Sequence, residues 1–313
     1  MLFDDVSVRY LMLGIGVFLA LATMIGFVLA KRPVSVAQKA TITNLNARIK
    51  AWWVMCLVLI IAFTFNKFGT LLLFLVISFY ALRECITLIP TKRGDHAVLF
   101  WCFFVLLPAQ YLLIALEWQA FFTVFIPICA FVLIPTRVAI AGDSTHFMER
   151  TAKVQWAVMI AIYLLSYVPA LLLLETSKEG FNPITLILFL IIVVQISDVF
   201  QYVFGKLFGH RKIAPKISPN KTLEGFVGGV FSATLIGISL HWLTPFNWWQ
   251  TALISLVLTL TGFMGGLVMS AIKRDQGVKD FGVLIKGHGG MMDRIDSLCF
   301  SAPLFYHITY YLG

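Results

Sequence analysis

Residues 251–297 read T-A-L-I-S-L-V-L-T-L-T-G-F-M-G-G-L-V-M-S-A-I-K-R-D-Q-G-V-K-D-F-G-V-L-I-K-G-H-G-G-M-M-D-R-I-D-S, an apolar run that breaks into a dense polar block. Nine formal charges fall between residues 270 and 297: Lys273, Arg274, Asp275, Lys279, Asp280, Lys286, Asp293, Arg294 and Asp296. At roughly 3 kcal/mol for each charge at the bilayer centre, burying them in lipid would cost on the order of 25 kcal/mol. The block therefore sits in water or in a protein-lined polar site. The run before it has the length of a membrane span, and a shorter apolar stretch, 298–312, follows it.

The same alternation extends outward through the chain. Sixty per cent of the 313 residues are hydrophobic and 12 per cent charged, against roughly a quarter charged in soluble domains. An ordinary soluble protein is excluded. Ten apolar stretches stand near 10–30, 51–66, 68–89, 97–116, 119–140, 154–174, 183–204, 225–243, 250–270 and 298–312. Most approach the ~20 residues that span a bilayer, while 51–66 and 298–312 are short enough to tilt or re-enter. The expected fold is all-α and polytopic, with about 8–10 transmembrane helices as a lipid environment requires. Residues 1–180 form an N-terminal set of membrane helices, and 181–313 a C-terminal membrane region carrying the chemistry.

Charge placement orients the map. If the loops at 31–50, 83–96, 137–153, 205–224 and 271–297 share one face, that face holds 21 of the 24 Lys and Arg residues. Arg9, Lys67 and Lys178 are left on the other. The positive-inside rule makes the basic loops cytoplasmic and puts both termini outside. The segment before the first run carries Asp4 and Asp5 rather than basic residues, so that run reads as a retained helix, not a signal peptide. A bacterial plasma membrane is the expected location. Cys56, Cys85, Cys102, Cys129 and Cys299 are isolated among apolar residues and read as small core residues. Residues 31–50 read as a solvated connector, with an amphipathic helix on anionic headgroups as the alternative.

Chemistry concentrates in the last 120 residues. Gln195, Ser197 and Asp198 lie deep in an apolar run, where an ionisable residue needs a partner, a metal or water. In the next loop Lys206, Arg211, Lys212, Lys216 and Lys221 face a single acid, Glu224. Ser218-Pro-Asn-Lys-Thr-Leu-Glu-Gly offers the hydroxyls of Ser218 and Thr222 and the Lys221 ammonium on a stiff turn ahead of a glycine-rich helix start, a setting suited to phosphate. Two membrane segments separate this loop from the 271–297 block, so both return to the same face. Lys273 and Asp280, seven apart, and Asp293 and Asp296, three apart, can each share a helix face. Between them the Gly287-His288-Gly289-Gly290 turn would let a bulky ligand approach the backbone.

Several carboxylates in one pocket repel unless a divalent cation sits among them, and Mg²⁺ prefers oxygen ligands and substrate phosphates. Asp280 and Asp293, with Asp198, are the metal candidates. Lys273, Arg274, Lys279 and Arg294 are assigned to phosphate oxygens. Phosphoryl and nucleotidyl transfer ask chiefly for positioning and charge stabilisation, which makes these six residues of the block the catalytic set. Ser218, Lys221, Thr222, His288, Gly289, Gly290 and Asp296 are the expected substrate-binding residues.

The stretch Ser270–Asp296, together with Asp198, Tyr202, Gly205-Lys206, Gly209, Pro215, Ser218-Pro219, Lys221-Thr222, Glu224-Gly225 and Gly228-Gly229, resembles the phosphatidate cytidylyltransferase (CDP-diacylglycerol synthase) family. The likeness covers about 100 residues at the C-terminal end. It implies an enzyme that joins CTP to phosphatidic acid, giving CDP-diacylglycerol and pyrophosphate, with Mg²⁺ required. It also implies a polar cavity opening to the cytoplasm and the bilayer. His288 would then contact phosphate, orient a carboxylate or serve only structure. Lys286, where the family usually carries proline, and Val199-Phe200-Gln201, where bacterial members carry small residues, mark a divergent member with a reshaped cavity. Two rivals stand beside this reading: a CTP-dependent cytidylyltransferase or kinase acting on an isoprenoid lipid, and a non-enzymatic transporter. The expected partners are CTP, phosphatidic acid or a related anionic lipid, and membrane lipids, with no nucleic acid. The oligomeric state is left open, a homodimer included.

Overall fold

The computed structural model describes residues 6–31, 36–176, 178, 181–284 and 289–313. Among these residues the ten apolar stretches become ten helical spans. They are α1 (Val6–Lys31), α2 (Val36–Thr64), α3 (Asn66–Thr87), α4 (Arg93–Ala115), α5 (Gln119–Ile140), α6 (Phe147–Leu173), α7 (Ile184–Phe208), α8 (Leu223–Ser239), α9 (Trp248–Asp275) and α10 (Met292–Leu312). Eight are long and apolar enough to cross a membrane; α8 is shorter, and α10 opens on the charged Asp293-Arg294-Ile295-Asp296 turn. The protein is an all-α polytopic membrane protein.

The sequence and the structure part company at residues 36–50. There the expected connector continues α2 as one helix of 29 residues. Beyond Pro33 the segment has no proline or glycine, and Ala, Gln, Lys and Arg are good helix formers, so nothing stops the helix before the membrane. The apolar stretch at 51–66 is accordingly part of a full-length span, Leu45–Thr64.

Packing places α6, α7 and α10 at the centre, with Tyr167, Phe189 and Phe305 fully buried there. One hydrophobic cluster runs through both the N-terminal and the C-terminal helices. Each of α4, α5 and α6 carries a π-helical turn, at Cys102–Leu106, Phe125–Ala130 and Met159–Leu164. α1 and α2 lie at the edge. On the C-terminal side α8 lies against α7, where a Cβ at Gly228 would strike the Phe204 ring and one at Gly225 would come within 2.6 Å of the Gln201 carbonyl. Of Val199-Phe200-Gln201, Gln201 packs on α8 at Gly229, while Val199 is exposed on the outer face.

Two connections shape the polar end. Residues 212–222 form an antiparallel hairpin, β1 (Lys212–Ala214) with β2 (Ser218–Thr222), pairing Lys212 with Thr222 and Ala214 with Ser218. Pro215 and Pro219 forbid helix here. Glu224 closes the hairpin by accepting from the backbone N–H groups of His210 (3.0 Å) and Arg211 (3.2 Å). At the other connection α9 stops in a Schellman turn. Val278 N–H donates to the Lys273 carbonyl at 2.9 Å and Gly277 N–H to that of Arg274 at 3.1 Å, with Gly277 at φ +70°. Asp280 thus lies past the helix end, and the expected shared face of Lys273 and Asp280 does not form.

Candidate active site

Lys273 finds a different acid. Its Nζ donates to Asp293 Oδ1 at 2.8 Å, joining the end of α9 to the start of α10, with both side chains largely buried. The other oxygen of Asp293 accepts from the backbone N–H groups of Phe281 (2.9 Å) and Gly290 (3.0 Å). Gly289, at φ +81°, passes so close that a Cβ there would come within 2.9 Å of Asp293 Oδ2 and 3.5 Å of Asp280 Cβ. Phe281, buried, lies under the Lys273 ammonium, its ring centroid 5.5 Å from Nζ. Asp293 is therefore a buried knot that ties α9, the loop and α10 together.

The hairpin meets this assembly from the side. Arg274 Nε donates to the Ile217 carbonyl at 3.1 Å while its Nη1 holds the Val278 carbonyl at 3.1 Å. Lys221 reaches inward, its ammonium 4.7 Å from the Phe263 ring centroid. A Cβ at Gly266 would lie 2.8 Å from Lys221 Nζ, 3.4 Å from Ser297 Oγ and 3.9 Å from Asp296 Oδ2, so α9 yields the space that Lys221 and Asp296 occupy. Asp198 of α7 lies in the same group, within electrostatic reach of Asp296, Lys221 and Arg294. Burial pushes the Lys221 ammonium below the usual lysine range, against the opposing pull of Asp198 and Asp296. Arg294 has its Nε buried without a hydrogen-bond partner among the described residues, and its carbonyl accepts from Gln195 Nε2 at 3.1 Å.

The two polar stretches thus fold against one another, and Asp198, Lys221, Lys273, Arg274, Asp293, Arg294 and Asp296 come together. Asp293 and Asp296 lie three residues apart at the start of α10, within one helix as their spacing implied. Lys279 and Asp280 are exposed on the loop, apart from any ion pair among the described residues. The Thr222 hydroxyl accepts from Gly225 N–H at 3.1 Å as the N-cap of α8, so it is engaged in structure. Ser218 is half-buried in β2 beside Ile217, whose carbonyl Arg274 holds. The Gly290 N–H belongs to Asp293. His288 and Lys286 lie outside the described residues.

For a metal ion, the donor set differs from the expected trio. Among the described residues no three His, Cys, Asp or Glu side chains form a group able to hold one ion, so Asp198, Asp280 and Asp293 are not assembled. Asp293 already accepts three hydrogen bonds. Asp198 of α7 and Asp296 of α10 lie within electrostatic reach of one another. Mg²⁺ takes one or two carboxylates and fills its shell with water and substrate phosphate, and this pair fits that habit.

One participant escaped the sequence reading. Glu84, near the end of α3, sends its carboxylate to the backbone N–H groups of Met291 (2.9 Å) and Met292 (2.8 Å). The signal was a lone acid at the polar end of a membrane helix, next to Arg83, which the charge map absorbed as an ordinary loop boundary.

Comparison with known proteins gives a consistent picture. The sequence profile of the cytidylyltransferase family matches residues 46–312, leaving α1 and the first turns of α2 outside it. The uncharacterized protein YnbB of Escherichia coli (strain K12) is 38% identical over 295 residues, 94% of this chain and 95% of that one. A phosphatidate cytidylyltransferase of Staphylococcus aureus (strain COL) is 42% identical over 132 residues, 42% of this chain and 50% of that enzyme. One of Staphylococcus saprophyticus is 43% identical over 134 residues, with the same shares. The match spans about half the length of these two enzymes.

Proposed function

Because the chain belongs to the cytidylyltransferase family, we propose that it transfers a cytidylyl group from CTP to phosphatidic acid, giving CDP-diacylglycerol and pyrophosphate. The observation that carries this reading is the convergence of the hairpin and the α9–α10 connection. Lys221 comes from one, Asp296 and Arg294 from the other, and Asp198 from α7. The partial likeness to phosphatidate cytidylyltransferases supports the choice of lipid.

In this reaction a lipid phosphate oxygen attacks the α-phosphorus of CTP. The bond from that phosphorus to the bridging oxygen breaks, and pyrophosphate leaves with the electron pair. The attacking phosphate is already ionised, so no side chain has to remove a proton. Lys221 and Arg294 neutralise the phosphates, Arg294 through a guanidinium suited to two oxygens at once. Arg274 holds the hairpin in register with α9 through Ile217, and the Lys273–Asp293 pair fixes the start of α10. Asp198 and Asp296 would hold Mg²⁺. When bound, the ion shields the nucleotide phosphates and lowers the energy of the charge gathering on pyrophosphate. The basic loops face the cytoplasm of a bacterial plasma membrane, where CTP is supplied.

The test is purified protein given Mg²⁺, phosphatidic acid and CTP labelled at either the α- or the γ-phosphate. Lipid carrying the α-label is the expected product. Lipid carrying the γ-label would make the protein a kinase. Labelling of an isoprenoid phosphate in place of phosphatidic acid would reassign the acceptor.

A further inference from the structure

The loop between α9 and α10 is held by two carboxylates from opposite directions. Asp293, from within α10, takes the N–H groups of Phe281 and Gly290. Glu84 comes from α3, 207 residues earlier in the chain than Met291, and takes the next two, Met291 and Met292. Consecutive donors at 290, 291 and 292 are thus all bound to acids. Glu84 is buried, and the loop is shaped around it. A Cβ at Gly282 would approach Glu84 Oε1 to 2.6 Å, and one at Gly290 would collide with Oε2. Its negative charge also sits at the positive end of the α10 dipole, where an anion is favoured.

We infer that Glu84 is a positioning residue of the active site, its carboxylate setting the seat of the α10 N-terminus and with it the placement of Asp293, Arg294 and Asp296. It touches no reacting atom. The Met291 and Met292 N–H groups at the head of α10, of the kind that attract a phosphate, are occupied by the protein's own carboxylate. The N-terminal helices thereby join the site through one hydrogen-bonded acid rather than through packing alone. The inference rests on the functional reading above only for its activity readout.

The experiment compares Glu84→Ala, Glu84→Gln and Glu84→Asp in the full-length protein. It measures kcat and KM per mole of monodisperse folded protein and hydrogen exchange of the peptide containing Gly290–Met292. Loss of two charge-assisted hydrogen bonds predicts kcat down by about 10- to 100-fold in Glu84→Ala, with KM for CTP within about threefold of the parent. Glu84→Asp, one methylene short, falls with it. Glu84→Gln keeps the shape and one strong acceptor and recovers about half of the loss on a logarithmic scale. Exchange at Gly290–Met292 speeds up in Glu84→Ala while the peptides of α6 and α7 stay protected. Unchanged kcat, a deficit that appears only as fewer folded molecules, or unaltered exchange would each overturn the inference. Should Glu84→Ala not fold, Glu84→Gln carries the same readouts. If the parent protein does not turn over CTP with any lipid, the functional reading fails, and the exchange data still decide the role of Glu84.

Discussion

Replacing Asp293 with Asn probes the knot that fixes the site. In the parent, Lys273 and Asp293 form a 2.8 Å ion pair with side chains 13% and 4% exposed. Removing one partner of a buried pair strands the other charge and costs about 3–5 kcal/mol. Asn retains an oxygen for the Phe281 and Gly290 N–H groups. Its amide NH₂ then turns toward the Lys273 ammonium, donor against donor. Lys273→Met alone strands less, because Asp293 keeps its two backbone donors, and should cost about 2–3 kcal/mol. In the double variant no charge is stranded, so its loss should be no larger than that of Asp293→Asn. The cycle then leaves a coupling of about 2–3 kcal/mol. Reversible unfolding in mixed micelles, followed by tryptophan fluorescence, measures all four corners. Turnover should be lost in both variants that lack Asp293. Strictly additive losses would refute the knot and return Asp293 to the role of a replaceable surface acid.

Two further outcomes separate the assignments within the site. Asp198→Asn and Asp296→Asn should each raise the Mg²⁺ concentration needed for half-maximal turnover by at least tenfold, while Asp280→Asn, exposed on the loop, leaves it within about threefold. An Mg²⁺ titration in which Asp280→Asn shows the largest shift would restore the metal to the loop acid. For Lys221, burial favours the neutral amine, so its charge is lost earlier on the way up in pH than for an ordinary lysine of about 10.4. The alkaline limb of kcat/KM should therefore fall below that range and move upward in Lys221→Arg. A limb unmoved by that substitution would remove Lys221 from phosphate binding.

What the sequence disclosed follows from how local each signal is. Membrane spans are written in runs of about 20 apolar residues, so all ten helices could be read, and the 273–296 charges could be placed outside lipid. The Asp293–Asp296 spacing survived because both residues lie in one helix. Lys273 and Asp280 did not, because Gly277 ends α9 between them and a seven-residue interval carries no meaning across a break. Thr222 looked like a phosphate ligand on composition alone, yet the same hydroxyl is what an N-cap requires, and α8 begins at the next residue. Glu84 was out of reach for a different reason. Its partners are backbone N–H groups 207 and 208 residues away, and a backbone donor leaves no trace in residue type.

Depth in the membrane explains why these partners are arranged in this way. At 1.5 Å per residue, α7 (Ile184–Phe208) is about 37 Å long, several ångströms more than the hydrocarbon core. Asp198 stands ten residues before its polar end, about 15 Å along the axis, and so inside the apolar slab if α7 is centred. An acid at that level needs compensation that comes down to it. The hairpin provides this by turning Lys221 inward past the yielding Gly266, and α10 provides it by opening with charged residues instead of continuing the apolar pattern of its later turns. The cations therefore meet the acids well below the polar end of α7, about 15 Å along its axis, so a lipid phosphate reaches them by moving inward along the protein while its acyl chains stay in the bilayer. Placed out in the aqueous loops, the same residues would be screened and would have to lift the lipid headgroup out of the bilayer to reach CTP.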